Sequence, residues 1–537
     1  MTNLSVSLEC DYVVVGGGSA GAVVASRLSE NPAIKVVLLE AGPGSTSYWG
    51  SIPVGFGKII SDDRYTWNHV TEPEPYLDDR QVPLLSGKVL GGSSSINGLV
   101  YVRGFPYDYS LWRQMGAEGW GYEGVLPYFK KAERQSRGAN DYHGDSGPLG
   151  VEDPRWRTPL SEAFLAACDS VGLARNNDFA GEKQAGVGYY QLTSWKGRRS
   201  STADAYIKPV QSRRNLHIVT GATVKKIVFE NRTAVGVFYH REGDTLFVRV
   251  TREVILSAGA LKTPQILELS GIGPAKLLQD FGLPVVHDLK SVGENLMDHV
   301  QSRRVYTTTS PETFNKRLGS PVAQMFSGIR YYATRGGGPL GSGPVLAGGY
   351  ISTNPPDNEN PDFTIHLLPF LPGPSGYDLA KNSGFMLTTF QNRPDSRGFV
   401  RIKSRNEYDS PAVQFNYFST EGERKGIISA MNLIKDIGSA PALKRLGAEE
   451  ILPGPMDVDD EGLFQYIKDS ASTCYHFSGT ARMGTDDLSV VDPSLRVRGV
   501  DGLRVIDASV MPSVVSANTN AATIMIGEKG ADLILNA

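Results

Sequence analysis

Asp11-Tyr-Val-Val-Val-Gly16-Gly-Gly18-Ser-Ala-Gly21 is an apolar strand that runs straight into a glycine loop. A helix-like run follows to about Glu30, and a second apolar strand, Val36-Val-Leu-Leu39, ends in Glu40. Each part of this pattern has a mechanical task. Gly16 permits the tight turn, Gly18 lets backbone approach a pyrophosphate, and Gly21 lets the helix pack closely on the strand. Ser19 and Ala20 complete the loop, and the helix N-terminus offers free N–H groups and a positive dipole end to phosphate. Glu40, with Ala41 beside it, is placed to accept hydrogen bonds from ribose hydroxyls, and a carboxylate there disfavours a 2′-phosphate. Strand, loop, helix, second strand and terminal acid in register imply a dinucleotide site.

Bulk properties set the frame. The 537 residues allow two or more domains with substantial cores. Lys and Arg number 54 against 57 Asp and Glu, without long runs of either sign. That balance gives no sign of a nucleic-acid surface or a polybasic membrane patch. The three cysteines, Cys10, Cys168 and Cys474, have no metal spacing and form no CxxC pair, and the histidines do not cluster, so no metal site is expected. No stretch of about 20 apolar residues exists, and the residues ahead of the first strand lack a signal peptide's positive charge. A cytoplasmic protein with no integral membrane segment is the expectation.

Further along, residues 159–173 carry apolar residues at helical spacing, and a Trp/Tyr-rich helical stretch runs from Asp108 to Lys131. Short strands follow at His217–Thr220, Thr223–Phe229, Ala234–Tyr239 and Leu246–Leu256. The last passes through Ser257-Ala-Gly-Ala260 into a helix over Leu261–Leu269. Residues 300–460 are less patterned, with Gly/Pro turns at Arg335–Pro339 and Pro369–Pro374 and helices near 420–438 and 460–470. A strand at Gly502–Ile506 and a helix from Asn520 to Leu535 close the chain. The fold class read from this is α/β, α+β overall. A Rossmann-like dinucleotide domain is built from discontinuous segments (1–155, 215–300 and 470–537). A substrate domain with a mixed or antiparallel sheet and helices takes 156–214 and 301–469.

Two blocks identify a family. Gly87-Lys-Val-Leu-Gly-Gly-Ser-Ser-Ser-Ile-Asn97 and Gly259-Ala-Leu-Lys-Thr-Pro-Gln-Ile-Leu-Glu-Leu-Ser-Gly-Ile-Gly273 resemble the two signatures of the glucose–methanol–choline family of flavin-dependent oxidoreductases. Val292–His299, the stretch around His476 and Val505–Pro512 add to the match, which covers essentially the whole chain. The resemblance implies FAD and oxidation of an alcohol to a carbonyl. It puts His476 in the catalytic base position and Asn518 in the second position of the pair, where an amide can orient the substrate oxygen but cannot take its proton. It places Gly91, Gly92, Ser93 and Asn97 against the flavin, Val224 at the adenine, and Asp507, Ala508 and Asn520 at the cofactor. Ile96 occupies the position where some members link the flavin to a histidine, so non-covalent FAD is implied.

The resemblance also frames the substrate. Leu346 stands where many relatives have a glutamate, which disfavours choline. Leu346, Phe370, Leu371, Tyr475 and Phe477 read as an apolar pocket suited to an aliphatic or aromatic primary alcohol, with an aldehyde as product. Phe477 departs from the proline that commonly follows the catalytic histidine. Cys474, His143, His299 and His366 read as structural. Oxygen or a quinone-like carrier would reoxidise the flavin, with a dehydrogenase favoured over an oxidase. The same scaffold can host a hydroxynitrile lyase or a non-catalytic flavin-binding protein. A disulfide reductase or nicotinamide-dependent enzyme fits neither the signature blocks nor the cysteine pattern.

Overall fold

Val36–Glu40 is buried at all five positions, as an unbroken apolar run requires when both faces of a parallel sheet are covered. The computed structural model of the chain describes residues 6–353, 360–373, 378–454 and 459–537. Val36–Glu40 lies second in a seven-stranded sheet whose spatial order is Leu216–Thr220, Val36–Glu40, Val6–Val15, Asp244–Leu256, Thr233–Arg241 and Thr223–Glu230. The first three pairings are parallel and the last two antiparallel. Leu503–Val505 is the seventh strand and adds in parallel to the far end of Asp244–Leu256. Three distant parts of the sequence therefore build one sheet.

The register sets where a ligand can go. Val15 pairs with Leu256 and Leu256 with Val505, so three strands end side by side. The loops that leave them begin at Gly16, Ser257 and Ile506, along the carboxyl edge where open α/β sheets bind ligands. Gly16 has φ +97°, and a Cβ there would lie 2.4 Å from the Ser257 carbonyl oxygen. Only glycine permits that approach.

Two helices meet at this edge. Gly21–Leu28 follows the loop, and Asn520–Leu535 is buried along nearly its whole length against it. Gly527 allows the contact, because a Cβ there would stand 3.0 Å from both the Ala20 carbonyl oxygen and the Val23 side chain. The pair is locked at the far side by Glu528, which accepts from Arg27 Nε at 2.8 Å, Arg27 Nη2 at 2.7 Å and the Tyr206 hydroxyl at 2.8 Å.

A second seven-stranded sheet is wholly antiparallel. Its order is Glu449–Leu452, Val300–Thr307, Gly384–Gln391, Phe363–Leu368, Ala347–Ile351 and Gly186–Tyr189, with Ser472–Thr473 also beside Val300 and Gln301. Helix Glu421–Ser439 covers it with Ile427, Ala430, Met431, Ile434 and Ile437, at the 3–4 residue spacing of one apolar face. Its start is fixed by a capping box between Thr420 and Glu423.

The α/β class, the discontinuous first sheet and the helices at 421–439 and 460–470 agree with the reading from sequence. The first helix stops at Leu28 rather than Glu30, and the Trp/Tyr-rich stretch divides into Pro106–Gln114 and Tyr122–Ala132. Pro374 of the expected turn lies outside the described residues. A helix at Pro321–Ala333 was not anticipated; Pro at its first position and Ser320, whose side chain accepts from the Ala323 N–H, give it a clear start.

Candidate active site

A cavity of about 480 Å³ runs along the carboxyl edge of the first sheet and reaches the second. The glycine loop forms one end. The first turn of Gly21–Leu28 has no side-chain cap; Ala22 N–H donates to Gly18 O at 3.1 Å, and the positive end of the helix lies at the loop, where it favours an anion. Gly92, at φ +52°, crosses Gly18 so closely that a Cβ on it would lie 2.7 Å from the Gly18 Cα. A Cβ on Gly259, by contrast, would enter open space, and one on Gly18 would meet only the Gly92 Cα, at 4.0 Å. Gly16, Gly18, Ser19, Ala20, Glu40, Ala41, Gly92, Ser93, Asn97, Val224, Asp507, Ala508 and Asn520 all line the cavity. Gly21 and Gly91 do not; they shape the loop from behind. A Cβ on Gly21 would strike the Gly16 carbonyl, and Gly91 donates its N–H to Gly17 O at 2.7 Å.

The polar residues here are held before any ligand arrives. Glu40 is buried and accepts from Gly17 N–H at 2.9 Å and Gly42 N–H at 2.8 Å. Desolvation pushes its pKa up while those N–H groups and Lys88 pull it down. One backbone donor per oxygen leaves each with capacity for a hydroxyl. Ser19 Oγ donates to Asn520 Oδ1 at 2.9 Å, tying together the starts of the two helices. Asp507 is more heavily engaged, accepting from Gly259 N–H, Thr263 Oγ1, Ser509 N–H and Ser509 Oγ at 2.5–2.8 Å. It braces the Ser257–Gly259 junction.

Asn97 accepts from Arg199 Nη1 at 2.8 Å through its side chain and from Arg199 Nη2 at 2.8 Å through its carbonyl. The same buried guanidinium reaches Gly50 O and Ser94 O. Desolvation lowers the Arg199 pKa to about 10, so it remains charged at neutral pH. Sequence reasoning missed this residue, since nothing local signals that an arginine more than a hundred positions away holds the signature loop.

At the other end, His476 is buried and its two ring nitrogens are both engaged. Asn518 Nδ2 lies 2.9 Å from Nε2, and His299 Nδ1 lies 2.8 Å from Nδ1. His299 Nε2 is in turn 3.0 Å from the Asn392 carbonyl. A carbonyl can only accept, so His299 carries its proton on Nε2 and offers a lone pair at Nδ1. His476 must then carry its proton on Nδ1, which leaves the Nε2 lone pair toward Asn518 and the cavity. Burial first, then His299 and His366, hold the His476 pKa well below its ordinary value; burial lowers His299 to about 4. Both rings are neutral at pH 7.

Asp298 anchors the backbone of this element. It accepts from His476 N–H at 2.7 Å, Thr473 Oγ1 at 2.5 Å and Tyr417 OH at 2.7 Å, while burial pushes its pKa up to about 7 against the pull of those donors. Asp298 and His299 were not singled out from the sequence as site residues, and His299 was read as structural. Their signal was present, because both close the Val292–His299 block.

Phe370, Tyr475 and Phe477 line the cavity as expected, joined by Pro344, Val345 and Leu368. Leu346 and Leu371 do not. Leu346 turns into a core cluster with Trp156 and Phe314, and Leu371 packs with Val305 and Met386. Neighbouring side chains on an extended segment face opposite ways, so Val345 takes the wall and Leu346 the core. Leu346, facing the core, therefore has no bearing on whether choline is accepted. Cys474 and His366, both read as structural, line the cavity. His366 Nε2 has no hydrogen-bond partner among the described residues, and burial lowers its pKa to about 3. His143 keeps its structural role, bonded to Glu133 and Asp178. No group of three or more potential metal ligands occurs among the described residues, and no described helix is long and apolar enough to cross a membrane.

Comparison with known proteins agrees with this geometry. Residues 10–301 and 394–527 match the two family models described as GMC oxidoreductase. An "alcohol dehydrogenase [acceptor]" of Pseudomonas putida is 40% identical over 528 residues, covering 98% of this chain and 95% of that protein. An "oxygen-dependent choline dehydrogenase" of Cronobacter sakazakii is 40% identical over 537 residues, with 98% and 95% coverage. The crystal structure of pyridoxine 4-oxidase from Mesorbium loti superposes with a TM-score of 0.88 at 29% identity, covering 98% of this chain and 99% of that one. The glycine cradle, the uncapped helix and the histidine–asparagine pair fit a bound flavin dinucleotide, and the chain belongs to the glucose–methanol–choline family of oxidoreductases, FAD-dependent enzymes that act on CH–OH donors.

Proposed function

We propose that the protein oxidises an apolar primary alcohol to the aldehyde, with His476 as the base. The observation that carries this is the proton pattern around His476: its Nδ1–H is committed to His299 and its Nε2 lone pair faces the cavity. FAD, bound non-covalently beside Ile96, supplies the hydride acceptor. Segments 1–155, 215–300 and 470–537 hold it, and 156–214 with 301–469 build the substrate side. Gly16–Gly21 and the helix behind take the pyrophosphate, Glu40 the ribose and Val224 the adenine end. Gly92, Ser93 and Asn97 take the ring end.

The alcohol oxygen enters beside Asn518, whose amide carries two hydrogens. One of them reaches His476 Nε2; an incoming alcohol hydroxyl takes over that lone pair, and the amide turns to donate to the alcohol oxygen. An alkanol is far less acidic than imidazolium, so its proton passes to Nε2 as the C–H bond weakens, not before. His299 stabilises the developing imidazolium through Nδ1.

Pro344, Val345, Leu368, Phe370 and Phe477 support an apolar substrate. Choline is the second reading, favoured by relatives such as the Cronobacter sakazakii choline dehydrogenase. Against it, the three carboxylates that line the cavity among the described residues, Glu40, Asp507 and Glu407, are held by other groups of the protein. Glu40 and Asp507 hold backbone, and Glu407 pairs with His240 at 2.6 Å. None is free to face a cation at His476.

The test is anaerobic bleaching of the yellow flavin by a panel of benzyl alcohol, medium-chain alkanols, choline and a sugar, followed by air. The proposal expects bleaching by the apolar alcohols and slow return of colour in air, as for a dehydrogenase. Bleaching by choline alone would replace the substrate assignment. No bleaching together with cyanohydrin cleavage would make the protein a lyase.

A further inference from the structure

Helix Pro321–Ala333 is built the wrong way round for a helix on the surface of a soluble protein. Its buried side consists of Ser327 and Tyr331, which donate to Arg317 O at 2.8 Å and Gly197 O at 3.0 Å. Val322, Met325, Phe326, Ile329 and Tyr332 stand in solvent, each between 55% and 64% exposed. At 100° per residue these five fall within an arc of about 120°, centred opposite the buried pair. Tyr48, also exposed, extends the patch through a hydroxyl contact with Tyr332. Five large side chains at this exposure present on the order of 500 Å² of apolar surface, near the upper end for a free monomer.

The charge around the patch selects its occupant. From Thr313 to Thr353 there is no Asp or Glu, whereas Lys316, Arg317, Arg330 and Arg335 all occur. Arg317 is paired with Glu312, but Lys316, Arg330 and Arg335 are exposed. The even overall charge of the chain conceals this local excess. A second copy packed on the patch about a twofold axis would bring these basic residues toward their own symmetry mates. A surface that is apolar at the centre and negative at the rim would meet them favourably.

We propose that this helix lies in the headgroup layer of an anionic lipid bilayer, with Val322, Met325, Phe326, Ile329 and Tyr332 inserted and the basic residues on lipid phosphate. This is peripheral attachment by one short helix, which no apolar segment long enough to span would reveal. The same stretch of chain continues through Pro339–Gly341 to Pro344 and Val345 in the cavity wall. Attachment would therefore bring the cavity close to molecules dissolved in the bilayer. The inference stands on the surface itself and does not depend on the substrate proposed above.

The experiment is flotation of the purified holoenzyme with vesicles of phosphatidylcholine, with and without phosphatidylglycerol. The wild type should float with the anionic vesicles and be released by high salt. Phe326→Ser with Ile329→Ser, both fully tolerable at exposed sites, should lower the bound fraction at least about 10-fold with flavin content and melting temperature unchanged. Arg330→Glu with Arg335→Glu should weaken binding to anionic vesicles specifically. Failure of the wild type to float, or binding that survives both pairs of substitutions, would overturn the proposal. So would a wild-type dimer in light scattering that Phe326→Ser with Ile329→Ser converts to monomer, since that would assign the face to a second copy.

Discussion

Replacing His299 tests the proton arrangement around His476 without touching the base. His299→Leu removes the acceptor 2.8 Å from His476 Nδ1 and leaves that N–H, together with the Asn392 carbonyl, unpaired in a buried place. Each orphaned group costs about 1–3 kcal/mol of stability. The effect on rate comes from the difference between two states of His476. Neutral, its Nδ1–H makes an ordinary bond worth about 1 kcal/mol; protonated, it makes a charge-assisted bond of roughly twice that strength. Losing the difference, about 1–1.5 kcal/mol, slows flavin reduction on the order of 10-fold. His299→Gln keeps both an acceptor and a donor and should restore most of the rate. The assay is anaerobic rapid mixing with a bleaching alcohol, read as the limiting reduction rate and the half-saturation concentration, with melting temperature measured alongside. The limiting rate should fall while half-saturation stays near wild type. A folded His299→Leu enzyme at full rate would refute the reasoning, and a Gln variant as slow as the Leu variant would show that what matters is the stacking of the His299 ring on Phe390, whose centroid lies 4.9 Å away.

Three further outcomes follow from the same geometry. Burial and neighbouring histidines hold the His476 pKa well below 6.5, and a base must be unprotonated. The limiting reduction rate should therefore be flat through pH 7 and be lost only as pH falls well below 6.5; a midpoint at or above 6.5 in the rate profile would contradict this. Asn518→Ala removes the donor at 2.9 Å from Nε2. With it goes the hydrogen bond the amide can make to the alcohol oxygen, and reduction should slow about 10-fold, the scale of one lost hydrogen bond to an oxygen gaining negative charge, with bound FAD retained in the visible spectrum. Gly16→Ala forces a side chain into φ +97° and within 2.4 Å of the Ser257 carbonyl. It should cost about 1–3 kcal/mol and strip much of the flavin, measured as absorbance per protein and melting temperature; full occupancy would mean that the loop can shift.

The sequence made the first sheet legible because its signals are local. An apolar run, a glycine loop and a terminal acid lie within 30 residues, and the glycines report backbone geometry directly. The motif block likewise placed His476 and Asn518, which the structure brings to 2.9 Å. What could not be read depends on facing and on distance. His299 reaches His476 across 177 residues, and nothing in its own neighbourhood says that its Nδ1 meets another ring. Leu346 and Val345 are adjacent and equally apolar, yet a single step of alternation sends one to the core and the other to the cavity. Helix Pro321–Ala333 has an apolar stripe that, by periodicity, would be placed inward. Tertiary packing chose Ser327 and Tyr331 instead.

The proposed reaction stands or falls with His476 as the group that removes the alcohol proton. Anaerobic reduction of the flavin in His476→Ala, beside the wild type and with the same alcohol, tests it most directly. The variant should keep its FAD and be reduced at least ~100-fold more slowly, the usual scale for a general base. Reduction at the wild-type rate in a variant with full flavin content would contradict it, and the base would have to be another group.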